Sequence, residues 1–305
     1  MSRTAVLIVN PNAGSETRAQ VIQDIVRTAA DLGWRVTVVE TQRENHATEL
    51  AAEAAAAGHP VVLVAGGDGT INEVIQALAG TETVLGAIPL GTMNVWAREL
   101  GLSLDPVEAT RQLLQGRTYR IDLGRVNGRY FLLMAGMGFD AEAVHAIQGK
   151  TKTRFGPLAF VVAGALAALR TRGTRIRVRA DGQTFETNAA LITVGNTRLW
   201  AGAVQITHHA TATDGRLDVC IFPGRAFFTK VKHFALVLFG RHDDDPDVTY
   251  LQVRSLHIVT RPPISIQVDG EAFGKTPAQV NVVPGCLRVL VGEGDVPTLG
   301  QAAPE

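Results

Sequence analysis

The run Val61, Val62, Leu63, Val64, Ala65, followed at once by Gly66, Gly67, Asp68, Gly69 and Thr70, constrains the fold more than any other stretch. Consecutive apolar residues bounded by a glycine turn predict a strand covered on both faces, the condition of an interior strand in a parallel sheet. A helical pattern over residues 71–78 follows the turn. The same alternation fills residues 1–122. Strands are predicted over 5–9, 35–39, 61–65 and 85–88, and helices over 17–32, 48–57 and 71–78. Strands that alternate with helices in this way predict βαβ units and a doubly wound α/β domain.

Beyond Asp122 the periodicity changes. Strands are predicted over 130–135, 175–180, 184–194, 217–222, 248–259, 264–268 and 287–291, with helices only near 140–170 and 226–239. Successive strands joined by short turns predict an antiparallel β-sandwich as a second domain. The division expected is an α/β domain over 1–124, rejoined by the C-terminal tail 295–305, and a sandwich over 125–294.

Composition excludes several classes. The chain carries 29 basic and 29 acidic side chains, a net charge of +0, which argues against a nucleic-acid partner. Its 46% apolar content is too high for disorder. Two cysteines, Cys220 and Cys286, build no disulfide framework. The longest apolar stretch, 155–169, is interrupted by Pro157 and falls short of the ~20 residues that span a bilayer. The run 5–9 is too short for a signal-peptide core. A cytoplasmic protein without a transmembrane segment is expected.

The turn at 66–70 has the character of a phosphate site. Glycines let backbone N–H groups approach a ligand with no Cβ between them. The helix start beyond adds unpaired donors and a partial positive charge. The Walker A pattern is absent. Thr70 and Glu73 also match a capping box, which would account for Glu73 but not for two glycines and an acid ahead of the cap. Two further polar turns leave predicted strands: residues 10–14 after the first, and residues 89–94 after the strand at 85–88. In an open parallel sheet such turns converge on one crevice.

With these motifs assembled, the chain resembles the soluble bacterial diacylglycerol/lipid kinase family, relatives of sphingosine and ceramide kinases. The resemblance is carried by NPNAG at 10–14, GGDGTINEV at 66–74, PLGTMN at 89–94, IDLG at 121–124, GMGFDA at 136–141, TDGRLDV at 213–219 and VDGE at 268–271. It implies ATP-dependent transfer of phosphate to a lipid hydroxyl, with the nucleotide between the α/β and sandwich domains. By resemblance, Asn10, Pro11, Asn12, Ala13, Gly14, Thr41, Gly66, Gly67, Asp68, Gly69, Thr70, Ile71, Asn72 and Thr92 contact ATP. Glu271 in the Asp269-Gly270-Glu271 turn is the implied general base, with Asp269 beside it in the catalytic set. Thr211, Asp214 and Arg216 form the implied magnesium loop, the first and last through backbone carbonyls. The implied partner is a lipid presented at a membrane surface, and a homodimer is compatible with the reading. GGDGT alone also occurs in NAD kinases, so a kinase of a soluble acceptor is the neighbouring enzyme reading. A non-catalytic nucleotide or lipid sensor is the non-enzyme one.

The chain departs from the family pattern at Val95, where an aspartate of the magnesium network is common, which leaves Asp68 and Asp122 as its remnants. Ser15, Ala203 and His208 depart as well. Three other signals carry bland readings, and a fourth stays open between two. GMGFDA lacks the later acid of a dinucleotide fold. Residues 242–247, an acid run around Pro246, read as a solvated turn. His208 and His209 would face opposite sides of a strand and share no metal. The segment 150–172, apolar with basic flanks, reads either as a core helix or as one resting on an anionic membrane surface.

Overall fold

In the computed structural model of the chain, the described residues are 3–11, 18–138, 173–200, 202, 204–224 and 227–305. They divide into two compact units, Met1–Leu123 with Pro284–Glu305, and Gly124–Val283. The predicted helix near 140–170, the segment 150–172 and residues 139–141 of GMGFDA lie outside the described residues.

In the first unit, strands β1 (Thr4–Val9), β3 (Val61–Gly66) and β4 (Val84–Pro89) are buried at nearly every position, as their unbroken apolar composition requires. Strand β2 (Arg35–Glu40) alternates polar residues and lies at the edge. All pair in parallel: β2 on β1, β1 on β3, β3 on β4, and β4 on Arg288 and Val289 of the last strand, β17 (Ala278–Val291). Helix α1 (Arg18–Asp31) packs on α5 (Pro106–Gln115), and α2 (His46–Ala56) packs on α3 (Asp68–Leu78). The unit is thus a doubly wound α/β domain. Leu7, Ile8, Leu63, Ile75, Leu85 and Ile88 are fully buried between the layers, each contributing about 1.5–3 kcal/mol.

The return of the chain begins at Pro284, earlier than the tail at 295 expected from sequence, because β17 itself supplies the strand beside β4. At the far end, the Glu305 amide donates to the Thr118 carbonyl, and the Glu305 carboxylate accepts from Arg288 and Arg120.

The second unit is an antiparallel β-sandwich. Its strands are β5 (Arg117–Val126, entering at Gly124), β6 (Arg129–Phe131), β7 (Met134–Gly138), β8 (Thr174–Ala180), β9 (Gln183–Gly195) and β12 (Leu217–Pro223). The set continues with β13 (Thr249–Val253), β14 (Ser255–Arg261), β15 (Ser265–Val268), β16 (Glu271–Lys275) and the first part of β17; β10 (Leu199–Trp200) and β11 (Val204–Gln205) form a separate ribbon. The long strand β9 pairs with β8 through its first half and with both β7 and β12 through its second. Met137, Ile192, Val194, Val219, Ile258, Ile266 and Val280 fill the core.

Three predicted elements differ. The strand expected at 130–135 is two, β6 and β7, because the amides of Leu132, Leu133 and Met134 turn aside to the Asp269 carboxylate. The strand expected at 248–259 breaks at Arg254, where Asp181 accepts from the amides of Arg254 and Ser255. The strand expected at 287–291 starts at Ala278 and runs through Pro284 and Gly285. The helix expected at 226–239 is α6 (Phe227–Leu238). Among the described residues no helix is long and apolar enough to cross a membrane.

Candidate functional site

Parallel register places the first unit's polar turns along one edge of its sheet. Val9 of β1 is level with Glu40 of β2 and Ala65 of β3, and Gly66 is level with Pro89 of β4. Asn10, Thr41, the glycine turn and the turn after Pro89 therefore all leave the carboxyl ends of neighbouring strands, where ligands of open α/β sheets bind. The Asn10 Nδ2 donates to Thr70 Oγ1 at 3.1 Å, tying the first turn to the third. Thr41 is buried, and its amide donates to the Val9 carbonyl. Asn12, Ala13 and Gly14 lie outside the described residues; Pro11 is exposed.

Helix α3 begins at Asp68, with Gly67 as its N-cap, three residues earlier than the periodicity predicts. The first intrahelical donor is the Ile71 amide, bonded to the Gly67 carbonyl, so the amides of Gly69 and Thr70 precede the helical ladder. Gly67, Asp68 and Gly69 are partly open to solvent, whereas Thr70, Ile71 and Asn72 are buried. An anion could reach residues 67–69; Ile71 and Asn72 instead face the interior. The early start also moves Thr70 out of the cap position. Glu73 Oε2 accepts from the Ala47 amide at 3.1 Å, so it caps the neighbouring helix α2 rather than its own. The capping-box reading of Thr70 and Glu73 is therefore replaced by a cap between helices.

Asp68 serves the turn after β4. Its Oδ2 accepts from the Val95 amide at 3.1 Å and its Oδ1 from the Trp96 amide at 3.2 Å, which caps the short helix α4 (Val95–Glu99). Burial pushes its carboxyl upward, against the two amides that favour the charged form. The same turn is closed by Asn94, whose Oδ1 accepts from the Gly91 amide while its Nδ2 donates to the Gly91 carbonyl. Gly91 must be glycine: a Cβ there would stand 2.5 Å from the Gly67 backbone. Thr92 is exposed beside this contact. Asp122 is buried, and its Oδ1 accepts from the Gly285 amide at 2.7 Å.

In the second unit, Asp269 and Gly270 form the β15–β16 turn, both at positive φ (47° and 84°). Asp269 Oδ2 accepts from Leu132 N at 2.8 Å, and Oδ1 accepts from Leu133 N and Met134 N at 2.9 Å each. Three amides on one carboxylate give Asp269 the part of positioning the hairpin. Glu271 opens β16 next to this fixed turn. Its Oε2 accepts from Arg129 Nη2 at 2.6 Å, and its side chain stays 38% exposed, enough to meet a substrate.

The Asp214 loop is a tight turn in which the Arg216 amide donates to Asp214 Oδ1 at 2.9 Å and the Asp214 amide to the Thr211 carbonyl at 3.4 Å. Asp214 is exposed. Behind it, burial pushes the Asp218 carboxyl up to about 6; hydrogen bonds from Tyr250 and Gln252 oppose the shift and the Asp214 charge adds to it. The carboxylate and the Thr211 carbonyl are hard oxygen donors within one turn, the donor chemistry that suits magnesium.

Sequence reasoning missed Arg129, Asn94 and Asp218. Asn94 was open to inference, since asparagine tolerates the positive φ (48°) that the turn needs. Arg129 was not, because Glu271 lies 142 residues away.

Residues 4–126 match the family profile described as diacylglycerol kinase catalytic domain, and residues 134–291 match that described as YegS C-terminal NAD kinase beta sandwich-like domain. A Staphylococcus carnosus (strain TM300) protein named diacylglycerol kinase is 30% identical over 281 residues, covering 91% of this chain and 92% of its own. One of the same name from Bacillus subtilis (strain 168) is 29% identical over 280 residues, covering 91% and 92%. A solved chain from Bacillus anthracis str. Sterne superposes with a TM-score of 0.84 at 25% identity, covering 95% of each chain. A second from that organism, described as a diacylglycerol kinase, gives 0.76 at 23% identity, covering 95% of this chain and 97% of its own, a likeness of fold. Sequence over 91% of the chain and fold agree, and the chain belongs to the diacylglycerol kinase family, lipid kinases that transfer phosphate to an alcohol.

Proposed function

We propose that the chain transfers the γ-phosphate of ATP, with magnesium, to the hydroxyl of a diacylglycerol or a closely related lipid. The observation that carries the reading is the Asp269-anchored hairpin that presents the accessible Glu271 carboxylate beside Arg129. In this reading the amides at 67–69 and the start of α3 receive phosphate oxygens, as helix N-termini do. Asn10 and Thr70 hold that strip in place. Thr211, Asp214 and Arg216 would hold magnesium, which would supply charge neutralisation on the phosphate oxygens. Glu271 accepts the proton of the lipid hydroxyl as that hydroxyl's oxygen attacks the γ-phosphorus, the bond from the γ-phosphorus to the bridging oxygen breaks and ADP leaves with that electron pair; Arg129 fixes the direction of the carboxylate.

Glu271→Gln keeps the size of the side chain and removes the base. Its kcat should fall by ~10²–10⁴ with little change in KM for ATP or in thermal unfolding. A labelled-phosphate assay on diacylglycerol measures this, and full activity in the variant would overturn the role. We also propose that the lipid is taken from a membrane surface. Support comes from three exposed apolar residues, Phe234 and Leu238 on α6 and Phe239 just beyond it, the last 79% exposed. Phe239→Ser should lower activity on lipid vesicles while sparing activity on detergent-dispersed lipid; equal loss in both would refute it.

A further inference from the structure

Two histidines and an aspartate of the second unit converge outside every motif assigned above. His208 and His209 sit in a turn between β11 and the Asp214 loop, not on a strand, so the alternation that would separate their rings does not apply. Their ring centroids are 4.1 Å apart. His208 Nε2 lies 3.2 Å and His209 Nε2 3.1 Å from the same oxygen, Asp243 Oδ2, and one ligand atom from each of the three residues lies within 4.8 Å of the other two. Asp243 belongs to the 3-10 turn His242–Asp244. The acid run at 242–247 is therefore partly engaged, which corrects its reading as a solvated turn.

We infer that His208, His209 and Asp243 form a site for a divalent transition-metal ion, zinc by the chemistry of its donors. An ion bound at about 2.0–2.1 Å in tetrahedral geometry separates its ligand atoms by roughly 3.3 Å. The two nitrogen–oxygen distances already match that edge. Two imidazole nitrogens and one carboxylate oxygen suit zinc, whereas magnesium takes oxygen donors. His208 Nδ1 is buried without a hydrogen-bond partner, so that ring can meet an ion only through Nε2. His209 is 57% exposed on its side chain, which leaves a path for the ion and room for a water as fourth ligand. The ion would clamp the 208–209 turn to the 3-10 turn, and so brace the strand of chain that leads into Thr211.

A second group, His233, Asp245 and Asp247, is a weaker candidate. Lys232 Nζ stands 2.7 Å from Asp245 Oδ2, so a protein cation already neutralises that carboxylate.

The test uses full-length protein without a polyhistidine tag, stripped with chelator and titrated calorimetrically with zinc chloride in excess magnesium. One zinc per chain is expected. Cobalt in its place should give the visible absorption of a tetrahedral site. His209→Ala and Asp243→Asn should each weaken zinc binding at least about tenfold with unchanged circular dichroism, whereas Asp214→Asn and Asp247→Asn should not. Absence of saturable binding, or binding unaffected by both His209→Ala and Asp243→Asn, would overturn the assignment. So would a loss caused by Asp214→Asn alone, which would place the ion in the Asp214 loop.

Discussion

Asp269→Asn separates a positioning role from a chemical one. Asparagine has the size of aspartate and tolerates the positive φ of 47°, so the backbone of the turn is not disturbed. What changes is the acceptor. The carboxylate takes three amides, at 2.8, 2.9 and 2.9 Å. A carboxamide offers one oxygen, which can serve Leu133 and Met134, and turns its NH₂ toward the Leu132 amide. One charge-assisted bond worth about 1.5–3 kcal/mol is lost, a donor is left facing a donor, and the two remaining bonds fall to neutral strength. The site is only part-buried, so solvent repairs some of this, and about 3 kcal/mol is a fair expectation. For a domain of 150–250 residues that corresponds to roughly 6–12 °C in unfolding temperature. Differential scanning calorimetry of the full chain measures it, with Asp269→Gly as a control that keeps the turn and removes all three bonds. Both variants should lose stability, and activity measured well below the new transition should drop less than in Glu271→Gln. An Asn variant that unfolds like the parent yet loses activity as fully as Glu271→Gln would refute the positioning role.

Two further outcomes follow from single residues. Asn94→Ala loses both bonds to Gly91 and places alanine at a φ of 48°, so it should cost about 2–3 kcal/mol and raise KM for ATP; Asn94→Gly, which relieves the backbone, should recover part of the stability. Unchanged KM in both would detach the 91–95 turn from nucleotide binding. Burial pushes the Cys286 thiol up to about 11 and raises the Cys220 thiol too, so the native protein holds about a hundredfold less thiolate at Cys286 than a free cysteine does. Thiol modification should therefore be slow at pH 8, rise steadily toward pH 10, and become fast only in denaturant. Rapid labelling of native protein at pH 8 would contradict the burial.

Local patterns were legible; distant partnerships were not. Apolar runs fixed β1, β3 and β4 to within a residue or so, because a strand covered on both faces writes its burial into every position. Polar glycine turns marked the carboxyl ends of the same strands, because glycine and asparagine allow the backbone to leave a strand sharply. The errors fall where a side chain far along the chain captures backbone amides. Asp269 splits one predicted strand and Asp181 another, across separations of more than seventy residues. No periodicity reports such a capture. Arg129 with Glu271, 142 residues apart, and His208 with Asp243, 35 apart, were hidden in the same way.

Val95 shows how a motif can lose its acid and keep its geometry. The resemblance puts an aspartate at this position, and a valine there removes a carboxylate from the turn after β4. Yet the structure uses the residue mainly through its backbone: its amide donates to Asp68, its side chain is buried at 6% exposure, and the helix α4 starts from it. Asp68 thus cannot be read simply as the acid left over from a network. Both of its oxygens hold the turn that carries Thr92 against the glycine turn, and that contact requires Gly91 opposite Gly67. If the shape of the turn is what nucleotide binding needs, the carboxylate at position 95 is dispensable while Asp68 is not. Restoring the acid by Val95→Asp would then bury an unpaired charge beside Asp68 and destabilise the turn rather than improve it. The substitution at Val95 is accordingly one that this chain's own packing makes self-consistent.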